Sequence, residues 1–283
     1  MKPKQIVIDK CAFQGTPTRH LCAFAANHWL VLPEILLYEC ATDENDTGHA
    51  LLRRFREVIL AGAYTCRGCV DIITQEARIR QPYPFLTDIN GTTAFRREFK
   101  RFPAIRCSPA VKEAYKRTLR GAKVFSDFAR DVAVSIRREI PDTVRADLKT
   151  LREEDRTILW LRLADSQDMH RFAVERFLRN FTASPGRFCL SCDWVSWQYC
   201  RLICALAYEA IFLAEGGGPI GPLRAEHDLS DIEYVLLLSK ADAIVTQDKK
   251  LVEPLARAAF PEKDVFSSLE EVPESYRCDW TGG

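Results

Sequence analysis

Residues 228–248 read DLSDIEYVLLLSKADAIVTQD, and the order of residue types in this stretch decides the fold class. Apolar positions at helical spacing predict a helix from Ser230, and the β-branched run Ala243 to Thr246 predicts a short strand with Asp248 just beyond it. A helix from about Lys249 and a strand Asp264 to Phe266 follow. The N-terminal stretch alternates in the same way. It reads as a strand Gln5 to Asp9, a loop, a helix near His20 to Asn27, a strand Trp29 to Leu32 and a helix opening at Pro33. Proline at a helix start with Glu34 beside it suits the first turn. Strands alternating with helices predict an α/β fold with a parallel sheet.

Between these ends the chain reads as mostly helical. Apolar spacings of three and four recur at about 50–62, 109–139, 155–181 and 193–215. GGGPIGP at 216–222 marks a helix end and a return loop. The expected organisation is one discontinuous α/β domain, residues 1–48 and 223–283, interrupted by a helical insertion over 49–222.

The 283 residues include 40 Lys+Arg against 39 Asp+Glu, which excludes a uniformly basic nucleic-acid coat and a uniformly acidic tail protein. The balance is a cancellation. Residues 96–123 hold 10 basic groups against 2 acidic, and 226–283 hold 6 against 13, while the stretches 1–95 and 124–225 are neutral. A hydrophobic fraction of 47% with 28% charged residues is the composition of a soluble globular protein. The apolar run Ile6 to Ile8 is too short for a signal-peptide core, and Trp194 to Ala214 is interrupted by Arg201 and Glu209, so it reads as a buried helix and not as a membrane span. A cytoplasmic location without membrane attachment is expected, and there the eleven cysteines would stay reduced.

Acidic residues fall where such a sheet ends its strands. Asp9 closes the first strand, Glu39 lies on the helix after the second, Asp228 and Asp231 flank a C-terminal helix start, and Asp248 follows AIVT. Ligands of open α/β sheets bind beyond the carboxyl ends of the strands, so these side chains can converge on one pocket. Clustered carboxylates repel unless a cation neutralises them, and oxygen-only ligands select hard ions such as Mg²⁺ or Mn²⁺. Each acid also has a plainer reading. Ser230 with Glu233 forms a capping-box pattern that makes Asp231 a first-turn residue, Asp248 can cap the next helix, and Glu39 can be a solvated helix residue.

IVID ending in Asp9, LPEILLYE carrying Glu39, and DLSDIEYVLLLSKADAIVTQD carrying Asp231 and Asp248 together resemble the PIN-domain family of metal-dependent nucleases. The resemblance covers roughly the first 45 and last 60 residues. It implies a PIN-like three-layer sandwich around a central parallel sheet, with Asp9, Glu39, Asp231 and Asp248 as catalytic acids. Those four, with Asp228, would hold Mg²⁺ or Mn²⁺ for phosphodiester hydrolysis, usually in RNA, and bacterial relatives of this kind act in toxin–antitoxin pairs. Lys10 and Cys11 depart from the family, which places small polar residues after the first aspartate. Lys10 opens a second expectation, a catalytically inactive PIN-like scaffold or RNA-binding module. As a third reading, the insertion binds a protein partner such as an antitoxin through exposed apolar surface, and the chain can also be read as a homodimer.

The basic segment supplies Arg96, Arg97, Lys100, Arg101, Lys112, Lys116, Arg117 and Arg120 as candidate contacts to RNA or single-stranded nucleic acid. Phe95, Phe99, Phe102 and Tyr115 are interleaved with them and are candidates to stack on bases or to fill the core. Two CxxC pairs, Cys66/Cys69 and Cys189/Cys192, match the ligand set of a structural Zn²⁺ site, although their separation of 120 residues far exceeds the usual spacing of such sites. No histidine pair has metal spacing, and no Gly-rich phosphate loop follows a strand, which argues against nucleotide-binding enzymes of that type.

Overall fold

A run such as Ile6–Val7–Ile8, with no polar residue alternating into it, belongs to a strand covered on both faces. In the computed structural model it lies at the centre of a five-stranded sheet, with all three side chains fully buried. The structure describes residues 3–42, 46–84, 86–101, 109, 110, 113, 116, 150–165, 167–182, 186–213 and 225–278.

The strands are β1 (Gln5–Ile8), β2 (Trp29–Leu32), β3 (Tyr64–Thr65), β4 (Ala243–Val245) and β5 (Asp264–Phe266), in the order β3-β2-β1-β4-β5 and parallel throughout. Ile6 pairs with Leu30 on one side and Ala243 on the other, and Val7 with Val31 and Ile244. Helices cover the sheet, an arrangement compatible with a three-layer α/β sandwich. From β1 the chain steps outward to β2 and β3, whereas from β4 it steps the opposite way to β5. Right-handed crossovers therefore send the two connections to opposite faces, and a crevice opens beyond the carboxyl ends of β1 and β4.

Strand β1 ends at Ile8, and Asp9 caps a short helix α1 (Lys10–Gly15) where the sequence predicted loop. Helix α2 (Thr18–Ala25) precedes β2; α3 (Glu34–Thr42) and α4 (Asp46–Ala61) lead to β3. The sheet does not draw all its strands from residues 1–48 and 223–283, because β3 lies inside the stretch read as the insertion. Helix α4 packs on α2 and α3, and α6 (Ile89–Arg101) packs on α4 and β3, so residues 46–101 are built into the α/β body. Between α4 and β3, Gly62 has φ +140°, and a Cβ there would stand 2.7 Å from the Ala25 carbonyl oxygen, so only glycine fits this turn.

Helix α5 (Cys69–Ile79) follows β3. The period at 155–181 resolves into α7 (Glu153–Ala164) and α8 (Gln167–Arg179), and the buried helix is α9 (Val195–Leu213). Its interrupting charges are paired: Arg201 with Asp165 at 2.8 Å and Glu209 with Arg156 at 2.8 Å. Its N-terminus is capped from α5, since Glu76 accepts from the Val195 and Ser196 amides at 2.8 and 2.9 Å. Helix α7 packs on α9 and on α11 (Val252–Ala259), joining the middle of the chain to its C-terminal end. Among the described residues no helix is long and apolar enough to cross a membrane. Most of the helix predicted over 109–139 lies outside the described residues.

Helix α10 (Ala225–Leu237) starts five residues before Ser230. Ser230 and Glu233 are therefore buried interior residues, and the capping-box reading fails: amides in mid-helix already bond to the preceding turn.

Candidate acidic site

Asp9 extends the sheet by one bond, its amide donating to the Val245 carbonyl at 3.1 Å, which pins the ends of β1 and β4 together. As N-cap of α1, its Oδ1 accepts from the Ala12 amide at 2.7 Å, the usual role of aspartate at this position. Its Oδ2 accepts from the Thr246 hydroxyl. That hydroxyl in turn accepts from the Asp248 amide at 3.1 Å, so the Thr-x-Asp run after β4 orients both aspartates. Asp9 is only 2% exposed. Burial, with Asp248 adding repulsion, pushes its carboxyl up to about 6 despite the two hydrogen bonds.

Asp248 is half-buried and caps the turn after β4, its Oδ1 accepting from the Lys250 and Leu251 amides at 2.8 and 3.1 Å. It caps this turn and not, as expected, the next helix, because the helix Val252–Ala259 begins after Leu251, where no side chain caps it. Glu39 on α3 accepts from the Tyr234 hydroxyl at 2.6 Å, which ties α3 to α10. Asp231, half-buried, lies three residues before Tyr234 and thus on the same helix face. Asp228 lies one turn earlier in α10, and its side chain is outside the described residues.

All four acids lie close enough to one thiol to act on it electrostatically. Partial burial raises Cys11 to about 11, and Asp9, Asp248, Asp231 and Glu39 each add to the rise. The crevice is therefore a region of concentrated negative potential built from β1, β4, α3 and α10. Among the described residues, no three His, Cys, Asp or Glu side chains already stand in metal-ligating geometry, and Lys10 forms no ion pair with Asp9 or any other acid.

A second set of acids lies deeper and was not foreseen as part of any site. Glu233 on α10 is buried and hydrogen-bonded to Cys69; burial, with Glu34 and Glu39 adding, raises its carboxyl to about 8. Glu34 is buried too and accepts from the Gly68 amide at 2.7 Å. The signal for both was present in the sequence as a glutamate flanked by apolar residues, in LPEILL and DIEYVL.

The basic segment is divided in use. Arg96 donates to the Ile59, Gly62 and Ala63 carbonyls at the end of α4 and lies over Tyr64, so its donors serve backbone groups that the helix end leaves unpaired. Arg97, Lys100, Arg101 and Lys116 are exposed. Lys112, Arg117 and Arg120 lie outside the described residues, as do Phe102 and Tyr115. Phe95 and Phe99 stack on each other at 5.6 Å in the core and offer no stacking platform.

The CxxC pairs occupy different settings. Cys66 and Cys69 are buried, with burial driving both thiols up, while Cys189 and Cys192 are exposed in the loop before α9. Among the described residues they do not form one ligand set.

Fold and site together define an open parallel α/β protein with an acidic crevice at the point where its strand order reverses. No family model, curated protein or solved structure matches the chain.

Proposed function

We propose that the protein is a PIN-like, Mg²⁺- or Mn²⁺-dependent endonuclease that hydrolyses phosphodiester bonds in RNA, with Asp9, Glu39, Asp231 and Asp248 as its metal-holding acids. The observation that carries this reading is that these four carboxylates, from four elements, all lie within electrostatic reach of Cys11 at the crevice. The donor set fits a hard cation, because every group in it is a carboxylate. Such an ion supplies an activated water and offsets charge on the phosphate. The chain's own residues do the positioning: Thr246 orients Asp9, the turn at Asp248 holds that carboxylate at the mouth, and Tyr234 holds Glu39. The exposed bases of α6, Arg97, Lys100 and Arg101, are suited to phosphate contacts along a strand.

The test is cleavage of a single-stranded RNA by the purified protein with Mn²⁺. The expected result is cleavage that EDTA abolishes and that Asp231→Asn lowers at least a hundredfold. Cleavage that survives unchanged in both Asp231→Asn and Asp248→Asn removes the assignment.

A further inference from the structure

A cleft of about 520 Å³ lies beside the acidic crevice, walled by α7, α9 and the turn that joins β4 to α11. That volume is in the range that holds a small ligand or one unit of a polymer. Leu206 of α9, with Leu251 and Leu255, makes an apolar wall. Lys249 and Lys250, both exposed, supply positive charge, whereas Arg152 before α7 is paired with Asp155 at 3.0 Å. The acid in the lining, Glu209, is neutralised by Arg156 at 2.8 Å and accepts from the Trp160 indole at 2.6 Å. The cleft therefore combines an apolar wall with net positive charge, the two properties a nucleotide unit requires.

Its position relative to the acids is fixed by the backbone. Asp248 accepts from the Lys250 and Leu251 amides, and the Glu253 amide closes on the Asp248 carbonyl at 2.9 Å. One rigid turn thus presents a crevice carboxylate at one residue and the cleft's ammonium groups at the next two.

We propose that this cleft binds one nucleotide of a single-stranded nucleic acid, with its base against Leu206 and Leu255 and its phosphates at Lys249 and Lys250. The assignment rests on the nuclease reading above and deepens it, because a strand seated there runs past Asp248 into the acidic crevice. A phosphate-rich strand is favoured over an acidic peptide by this continuity with a site suited to phosphodiesters.

The experiment measures binding of a fluorescent ten-nucleotide RNA containing 5-bromouridine, in EDTA so that no cleavage intervenes. Wild type is compared with Lys249→Ala/Lys250→Ala, two exposed positions whose loss leaves the core intact, and photocrosslinks are mapped by mass spectrometry. The double variant is expected to bind about tenfold more weakly, with the slope of log affinity against log salt reduced by about 1.4, since each phosphate contact on a single strand contributes about 0.7. Crosslinks are expected in 195–213 or 249–255. Unchanged affinity in the double variant, or crosslinks confined to Arg97, Lys100 and Arg101, overturns the proposal. Displacement of the RNA by an acidic decapeptide more readily than by unlabelled RNA also overturns it and assigns the cleft to a protein. RNA binding through the cleft without any Mn²⁺-dependent cleavage ends the nuclease reading alone; cleavage with unaltered binding in the double variant ends the cleft assignment alone.

Discussion

Replacing Asp9 with asparagine should make the protein more stable at neutral pH while abolishing the RNA cleavage proposed above. In the unfolded chain this carboxyl titrates near 3.8, and in the folded protein burial holds it at about 6. Below pH 4 both states carry the proton and the group has no effect on stability. Between pH 4 and 6 the folded state holds the proton more tightly, so stability falls as pH rises. Above pH 6 the penalty is complete, at about 3 kcal/mol for a difference of this size. Asparagine keeps the shape and removes the charge: its oxygen can accept from the Ala12 amide and its amide can donate to the Thr246 hydroxyl, which has a second lone pair. The net gain at pH 7 is about 3 kcal/mol, or about 6–12 °C in melting temperature for a chain of this size. At pH 4 the folded wild-type carboxyl is protonated and has the same donor and acceptor as the amide, so the two proteins are about equally stable. Urea denaturation followed by circular dichroism at pH 4, 5, 6 and 7, in EDTA, measures both ends of the window. Repeated with Mn²⁺, it should show stabilisation of the wild type that the variant largely lacks, since an ion that binds only the folded state stabilises it by mass action. Parallel pH profiles, with the variant no more stable than wild type at pH 7, would refute the reasoning.

Glu233→Gln should flatten a second pH dependence: the folded carboxyl near 8 lies above its unfolded value of 4.5, so wild-type stability declines from pH 4.5 to 8. The variant should match wild type at pH 5 and exceed it at pH 9 by about 5 kcal/mol, read from urea midpoints. Glu76→Ala strips acceptors from the Tyr83, Val195 and Ser196 amides and the Ser196 hydroxyl, and should lower stability by about 3–5 kcal/mol in the same assay. Tyr234→Phe removes the donor to Glu39 with little change in packing. It should cost about 1–2 kcal/mol in stability. In steady-state kinetics on RNA, kcat should fall tenfold or more with KM nearly unchanged.

Strands β1, β2, β4 and β5 were legible because runs such as IVI and AIV have one physical solution, burial between helices. Strand β3 was not: two residues, Tyr64 and Thr65, carry no periodicity, and only pairing with Val31 and Leu32 makes them a strand. The start of α10 was obscured because Ser230 and Glu233 mimic a helix beginning, and nothing local says that helix precedes them. At the crevice, the positions of Asp9 and Asp248 follow from the strands they terminate. Thr246 and Tyr234 were not legible as partners of acids, since each acts on a residue 195 or more positions away. Arg96 shows the same limit in reverse. Its charge is visible in the sequence, but the carbonyls at the end of α4 that occupy it are a property of the fold.

Segment charge alone misplaces the source of the crevice's potential. Residues 226–283 carry an excess of seven acids, yet Asp9 and Glu39 come from a stretch that is neutral overall. Convergence decides the field, because two carboxylates brought together in a buried setting interact far more strongly than many spread over solvent. The fold accommodates that cost with neutral donors: an amide and a hydroxyl at Asp9, a phenol at Glu39, a thiol at Glu233. A guanidinium in those places would cancel the charge as it stabilised the acid, whereas an amide or hydroxyl lowers the cost and leaves the charge in place. Asp9 remains near 6 even with two such bonds, so at neutral pH its crevice stays anionic at the expense of stability. Exposed positive groups on α6 and at Lys249 and Lys250 are available to meet a polyanion. Separate acidic and basic groups of this kind suit the phosphodiester cleavage proposed above, and they arise here from side-chain placement on several elements, with net charge near zero.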